Sequence, residues 1–175
     1  RQRSLKTGAV IMTRRESREQ AFALLFEKMF NDAPVAELAA GAAEARGVPT
    51  SGFAMRLAEG TESRLPQIDE KIAACSRKWT KDRISKVALS VMRLAIDEIL
   101  YEDDIPVSVS INEAVELAKK YGGAEDASFV NGILGTVARE AADKPAAAAD
   151  ATDAAVEDTT APAVEPAAAP PEAEG

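Results

Sequence analysis

The sequence predicts an all-α body over residues 13–142, flanked by a disordered arm at 1–12 and a disordered acidic tail at 143–175. Two observations predict the helical body. Apolar residues recur at spacings of three and four, as they do on one face of a helix. The β-branched alternation that is typical of a strand occurs only at residues 106–111, and that segment leads directly into a helical pattern.

The composition changes sharply at the start of the tail. Residues 143–175 contain thirteen alanines, five prolines, eight acidic residues, one lysine and no aromatic residue. The prolines prevent a continuous helix, and there is too little apolar bulk to offset the entropy lost on ordering. Since the tail carries most of the chain's net charge of -8, the helical body is nearly neutral.

Three helices are predicted in the first half of the body. Residues 13–16, Thr-Arg-Arg-Glu, have the form of a capping box, and helically spaced apolar residues follow them. A second helix is predicted over residues 34–46, with a proline in its first turn and Gly47 ending it. A third is predicted over residues 52–75, where Pro66 either kinks the helix or splits it.

Three further helices are predicted in the second half. The fourth, over residues 81–101, has two adjacent apolar stripes and only a narrow polar line, so it belongs at the centre of a bundle. The fifth ends near Tyr121, where Gly122 and Gly123 form a helix stop signal. The sixth is predicted over residues 128–142.

Residues that most enzyme sites require are missing from the sequence. There is no histidine and one cysteine, Cys75, which excludes the commonest general base and an internal disulfide. No phosphate-binding loop or metal-ligand spacing occurs, so we expect no enzyme activity and no cofactor. Residues 1–11 lack the apolar core of a signal peptide, and no apolar run approaches roughly 18 residues, so we expect a soluble, cytoplasmic protein that does not bind membranes.

A cluster of arginines near the start of the first helix is the strongest indication of a charged partner. Arg14 and Arg18 lie four residues apart and share a helix face, and Arg15 lies just off that face. Cations at a helix N-terminus oppose the helix dipole, which favours acidic residues there. This arrangement favours an anionic partner, such as the phosphates of a nucleic acid, over a merely solvated helix surface.

Two aromatic residues, Tyr121 and Phe129, flank the glycine turn and Asp126. Aromatic side chains beside a loop are suited to stacking on unpaired RNA bases. Both rings could instead be core anchors. The hydroxyl of Tyr121 favours a wet edge, whereas for Phe129 the two interpretations are equally supported.

Asn112 and Asn131 are also unusual, because helical spacing places both among apolar core positions. Burying an amide without a hydrogen-bond partner costs about 1–3 kcal/mol. Each asparagine is therefore expected either to cap local backbone or to be reserved for a binding partner.

Long motifs join these residues at fixed spacing. They are residues 110–122 (SINEAVELAKKYG) and 129–134 (FVNGIL). Shorter matches precede them at residues 83–84, 91–100 and 105–106, at Trp79, and at residues 14–15, 18–19, 21 and 24–25. Over residues 13–142 the chain resembles the NusB family of transcription antitermination proteins. The resemblance implies a fold of two packed three-helix bundles.

The same resemblance implies a function and its partners. It implies binding to boxA, a short single-stranded element of ribosomal RNA leader transcripts. It also implies binding to NusE, a protein of the small ribosomal subunit, in a complex with RNA polymerase that suppresses premature termination. Matching positions suggest that RNA is contacted by Arg14, Arg15, Arg18, Tyr121, Asp126 and Phe129. They suggest that NusE is contacted by Arg93 and Glu113.

Two other interpretations use the same helical domain. It could be a protein-interaction scaffold without RNA binding. Similar helical domains are also fused to ribosomal RNA cytosine methyltransferases, but this chain has no βαβ pattern that would hold a catalytic cysteine. The sequence leaves open whether the free protein is a monomer or a homodimer.

Overall fold

The computed structural model describes residues 11–76 and 81–143, and within them it contains seven α-helices and no strand. Most of the predicted arm, most of the predicted tail and Trp79 lie outside the described residues. The helices are α1 (Arg14–Lys28), α2 (Val35–Arg46), α3 (Gly52–Ser63), α4 (Leu65–Cys75), α5 (Lys86–Tyr101), α6 (Val107–Tyr121) and α7 (Ala124–Asp143).

The helices form two groups that share α5. In the first group, α1, α2 and α3 pack against one another. In the second, α5, α6 and α7 pack against one another, and α4 lies against α5 and α7. Because α5 also contacts α1 and α3, it joins the two groups, and ten of its sixteen residues are buried. The predicted all-α fold of two packed bundles is confirmed, with α4 as an additional helix.

Local sequence explains most of the helix ends. At α1, Thr13 Oγ1 accepts a hydrogen bond from the Glu16 amide at 3.2 Å, and the Thr13 amide donates to the Glu16 carboxylate at 2.7 Å. This is the predicted capping box. Gly47 ends α2 with a φ of 66°, in the left-handed region that glycine adopts without strain.

Pro66 splits the predicted third helix. The first part ends at Ser63, and Pro66 lies in the first turn of α4, where the backbone N–H that proline lacks would be unpaired in any case. The predicted fourth helix also begins later than expected. Residues Lys81–Arg83 form a 3-10 turn, and Ser85 caps α5 by accepting a hydrogen bond from the Ala88 amide.

The last helix begins at Ala124, four residues before the predicted start at residue 128. The Ala127 amide already donates to the Gly123 carbonyl at 3.0 Å. Asp126 therefore lies in the first turn of α7 and not in the loop before it, and Phe129 lies in the second turn. No helix within residues 11–76 and 81–143 is both long and apolar enough to cross a bilayer.

Candidate nucleic-acid interface

Arg15 lies at an exposed edge between α1 and α6. Its guanidinium donates two hydrogen bonds to Glu113, from Nη2 to Oε1 at 2.8 Å and from Nε to Oε2 at 3.1 Å. The Arg15 side chain is 68% exposed, whereas that of Glu113 is 17% exposed. These hydrogen bonds lower the pKa of Glu113. The ion pair thus orients the Arg15 guanidinium along the surface while leaving it open to an anion.

Arg14 packs on an aromatic ring of the neighbouring helix. Its guanidinium carbon lies 4.0 Å from the centre of the Phe53 ring on α3. The guanidinium of Arg56 lies 5.2 Å from the same ring and also pairs with Glu102. Both arginines are exposed, so the half-buried Phe53 ring carries two solvent-accessible cations. The sequence gives no indication of this cluster, because nothing in it shows that the start of α3 packs beside the start of α1.

The structure corrects the prediction that Arg18 belongs to an exposed patch. The side chain does share the Arg14 face, since it also approaches Phe53, but only 7% of it is exposed. It makes three hydrogen bonds to Glu98 of α5, the shortest at 2.6 Å, and the Ser110 hydroxyl donates to the same carboxylate at 2.9 Å. Arg18 therefore connects α1 to α5 and is not available to phosphates.

Arg93, predicted to contact a partner protein, is also engaged within the fold. Its Nε and Nη2 atoms donate to the two carboxylate oxygens of Asp69 on α4, each at 2.8 Å. Only 13% of the side chain is exposed. We therefore interpret Arg93 as a connection between α5 and α4 and do not retain it as a partner contact.

Tyr121 combines a packed ring with an open edge. Its ring centre lies 4.9 Å from that of Phe22, yet 43% of the residue is exposed. The hydroxyl donates to Glu19, which also binds Lys120 at 2.6 Å. Burial and the neighbouring carboxylate raise the pKa of Tyr121, so its hydroxyl keeps its proton. The ring therefore packs on the core through Phe22, and the Lys120 ammonium lies 5.4 Å from the ring centre.

Asp126 and Phe129 line a surface cavity of about 810 Å³ between α7 and the segment that leads into α5. Asp126 accepts a hydrogen bond from the Ser85 hydroxyl at 2.9 Å. Phe129 is half-buried and packs against the core, so it serves both as a core residue and as a cavity wall. The lining residues are Arg83, Ile84, Ser85, Ala124, Glu125, Asp126, Ser128 and Phe129.

Gly122 fixes the approach of α7 to the end of α6. A Cβ atom at this position would lie 2.3 Å from Asp126 Oδ2 and 2.9 Å from the Ala118 carbonyl oxygen. At Gly123, a Cβ atom would meet nothing within 4 Å. The first glycine of the pair is therefore required by packing, and this packing positions Asp126.

The expectation that Asn112 and Asn131 are buried is wrong. Both are exposed, Asn112 on α6 and Asn131 on α7, and they line a second, shallower cavity of about 550 Å³. Apolar spacing predicts the buried stripe of each helix correctly, but each asparagine lies one position outside that stripe.

The exposed groups of α1, α6 and α7 are suited to binding a ligand. They are guanidinium groups, partly exposed rings and two cavities with polar walls. Among the described residues, no group of three or more potential ligands is placed to hold a metal ion.

Comparison with known proteins gives this surface a context. The NusB family matches residues 15–139. A transcription antitermination protein NusB of Natranaerobius thermophilus is 46% identical over 134 residues, covering 74% of this chain and 96% of the relative. The structure of T. maritima NusB is 36% identical, with a TM-score of 0.65 over 74% of this chain and 92% of that one.

A third comparison concerns the fold alone. A structure of the antitermination factors NusB and NusE in complex with dsRNA contains a chain that is 22% identical, with a TM-score of 0.66. It covers 73% of this chain and 96% of the matched one. Because the family matches residues 15–139 and the Natranaerobius thermophilus protein is 46% identical in sequence, this chain belongs to the NusB family.

Proposed function

We propose that this protein is a non-catalytic transcription antitermination factor that binds RNA together with NusE. Two findings support the proposal: its relatives are transcription antitermination proteins, and a chain of the same fold occurs with NusE and RNA. We propose boxA RNA as the ligand, the RNA polymerase complex as the site of action and the cytoplasm as the compartment.

One observation carries the RNA-binding part of this proposal. Arg14 and Arg15 place two exposed cations at the N-terminus of α1, where the helix dipole disfavours positive charge. A phosphate bound there would remove this unfavourable arrangement. The nucleotides next to that phosphate would extend over α6 toward the cavity of Asp126 and Phe129. The exposed part of the Tyr121 ring would be available for contact with them.

The proposed NusE contact is less extensive than the sequence suggested. Glu113 keeps a partly exposed carboxylate on α6 and remains a candidate. Because Arg15 and Glu113 bind each other, RNA and NusE would meet at this pair, which offers a physical basis for joint binding.

The proposal is tested by titrating boxA RNA with the full chain, with and without NusE, at several salt concentrations. Each lost phosphate contact should reduce the slope of log affinity against log salt by about 0.7. We expect this reduction for Arg15→Ala and none for Arg139→Ala, an exposed arginine near the end of α7, remote from the start of α1.

Three outcomes would decide against the proposal. The first is that the protein binds neither RNA nor NusE, and the second is that the two arginine variants have equal effects. The third is that it binds NusE but no RNA, which would identify a protein-interaction scaffold. Sedimentation of the free protein in the same buffer determines whether the isotherms are fitted to a monomer or a homodimer.

A further inference from the structure

The groove between α6 and α7 carries polar groups that the proposed function does not yet use. On α6, Asn112, Val115 and Lys119 follow one another at helical spacing along the side that faces α7. On α7, Ala124, Ala127, Ser128 and Asn131 form the opposite wall. Since the two helices are consecutive and joined by a short turn, they run antiparallel, and the two asparagines lie at the same end of the groove.

Both amides are free to bind a ligand. Within residues 11–76 and 81–143, the side-chain amide of neither Asn112 nor Asn131 makes a hydrogen bond to another protein group. Each can donate two hydrogen bonds and accept through its oxygen. Asparagine is also a weaker helix former than alanine, so helix stability does not favour it at these interior positions.

The rest of the groove suits a flat ring attached to a phosphate. Val115 is half-buried and Ala127 is buried, so the groove has an apolar floor. The Lys119 ammonium stands at the other end, 3.4 Å from Glu116 and 58% exposed. Amides of asparagine form paired hydrogen bonds with adenine, and unpaired bases of RNA are recognised through such edges.

The groove is continuous with the surface already described. It shares Ala124 and Ser128 with the cavity of Asp126 and Phe129. Asn112 directly precedes Glu113, the residue that binds Arg15. The groove therefore borders the cavity of Asp126 and Phe129, and its α6 wall belongs to the helix that carries the Arg15–Glu113 pair.

We propose that the α6–α7 groove is a base-recognition subsite in which Asn112 and Asn131 bind the edge of an unpaired adenine. Lys119 binds an adjacent phosphate, and Val115 and Ala127 support the ring. This inference rests on the proposed RNA-binding function and adds to it the residues that select a base.

The experiment compares oligonucleotides in which single adenines of boxA are replaced by uracil or by 7-deazaadenine. For the wild-type chain, one adenine position should be sensitive to both replacements. In Asn112→Ala and Asn131→Ala, that discrimination should fall by roughly five- to 150-fold, with an unchanged salt slope. Gln67→Ala removes an exposed amide on α4 and serves as the matched control.

The outcomes separate this inference from the proposed function. If the wild-type chain binds no RNA, both fail. If it binds RNA but the asparagine variants discriminate as well as wild type, or weaken every oligonucleotide equally, the subsite is wrong and RNA binding stands. Loss of NusE binding alone would assign the groove to the protein partner and also overturn the inference. Because both asparagines are exposed, thermal melting should show folded variants.

Discussion

Helix α1 carries two arginine–glutamate ion pairs, one buried and one exposed, and they serve opposite purposes. In the interior, Arg18 and Glu98 are almost fully buried, and the Glu98 carboxylate also accepts a hydrogen bond from the Ser110 hydroxyl, so three helices meet at one carboxylate. At the edge, three residues earlier, Arg15 binds Glu113 but remains mostly exposed. A buried pair cannot exchange its partner without leaving a charge in the core, whereas an exposed pair can.

This difference separates the residues that fix the fold from those that are available to ligands. The interior pair sets how α1 packs on α5 and α6. The edge pair uses that fixed packing to present a cation. Variants of the two regions should therefore differ in what they change, stability in the first case and binding in the second.

The largest effect is expected for Arg18→Ala. Removing the arginine leaves Glu98 buried without its cation, which costs about 3–5 kcal/mol of unfolding free energy. Urea denaturation of this variant and of Arg15→Ala in parallel measures the contrast. Similar midpoints for the two variants would show that the buried pair does not hold the junction.

Gly122→Ala should have the next largest effect, because the added Cβ would overlap Asp126 and the Ala118 carbonyl. Relieving such an overlap typically costs about 1–3 kcal/mol. Gly123→Ala is the matched control, since its Cβ meets nothing. Equal stability of the two alanine variants would contradict the packing role assigned to Gly122.

Phe129→Leu should separate the two roles of this ring. Leucine keeps most of the apolar contact with the core but offers no flat face, so the unfolding free energy should change little. Affinity for boxA RNA should fall by about 1–3 kcal/mol if a base stacks on the ring. A large loss of stability with unchanged affinity in the surviving folded protein would identify Phe129 as a core anchor only.

The smallest effect is a difference in acid stability. Arg15 lowers the pKa of Glu113, so their pairing stabilises the fold above the ordinary glutamate pKa of 4.5 and is lost as the pH falls through the lower folded-state pKa. When the pH is lowered below 4.5, the free energy of unfolding should therefore fall less for Glu113→Gln than for wild type. Glu70→Gln, at an exposed position of α4, should behave as wild type.

Periodicity and capping predict much of the fold. The capping box at Thr13 and the two apolar stripes of α5 are local patterns, and both are present as expected. The predicted start of α7 at residue 128 is too late, because Gly122 and Gly123 indicate a break and the residues that follow them carry no strong apolar spacing. The helix begins at Ala124 nonetheless, and the Ala127 amide already donates to the Gly123 carbonyl.

The candidate site was harder to predict than the fold. Spacing correctly places Arg14 and Arg18 on one face, but it cannot show that Glu98, eighty residues later, covers Arg18. For the same reason, Phe53 and Arg56 were missed, since their role depends on where α3 packs. Burial and partners are properties of contacts between distant segments, and a single sequence does not contain them explicitly.

The length of α7 has a practical consequence. This helix begins next to the glycine turn and extends for twenty residues to Asp143, a span of about 30 Å at 1.5 Å per residue. A fluorophore or surface tether attached at the exposed Ala142, in its last turn, would stand well away from the proposed base-recognition groove. Single-molecule measurements of transcript capture can therefore be anchored at that end without covering the face under study.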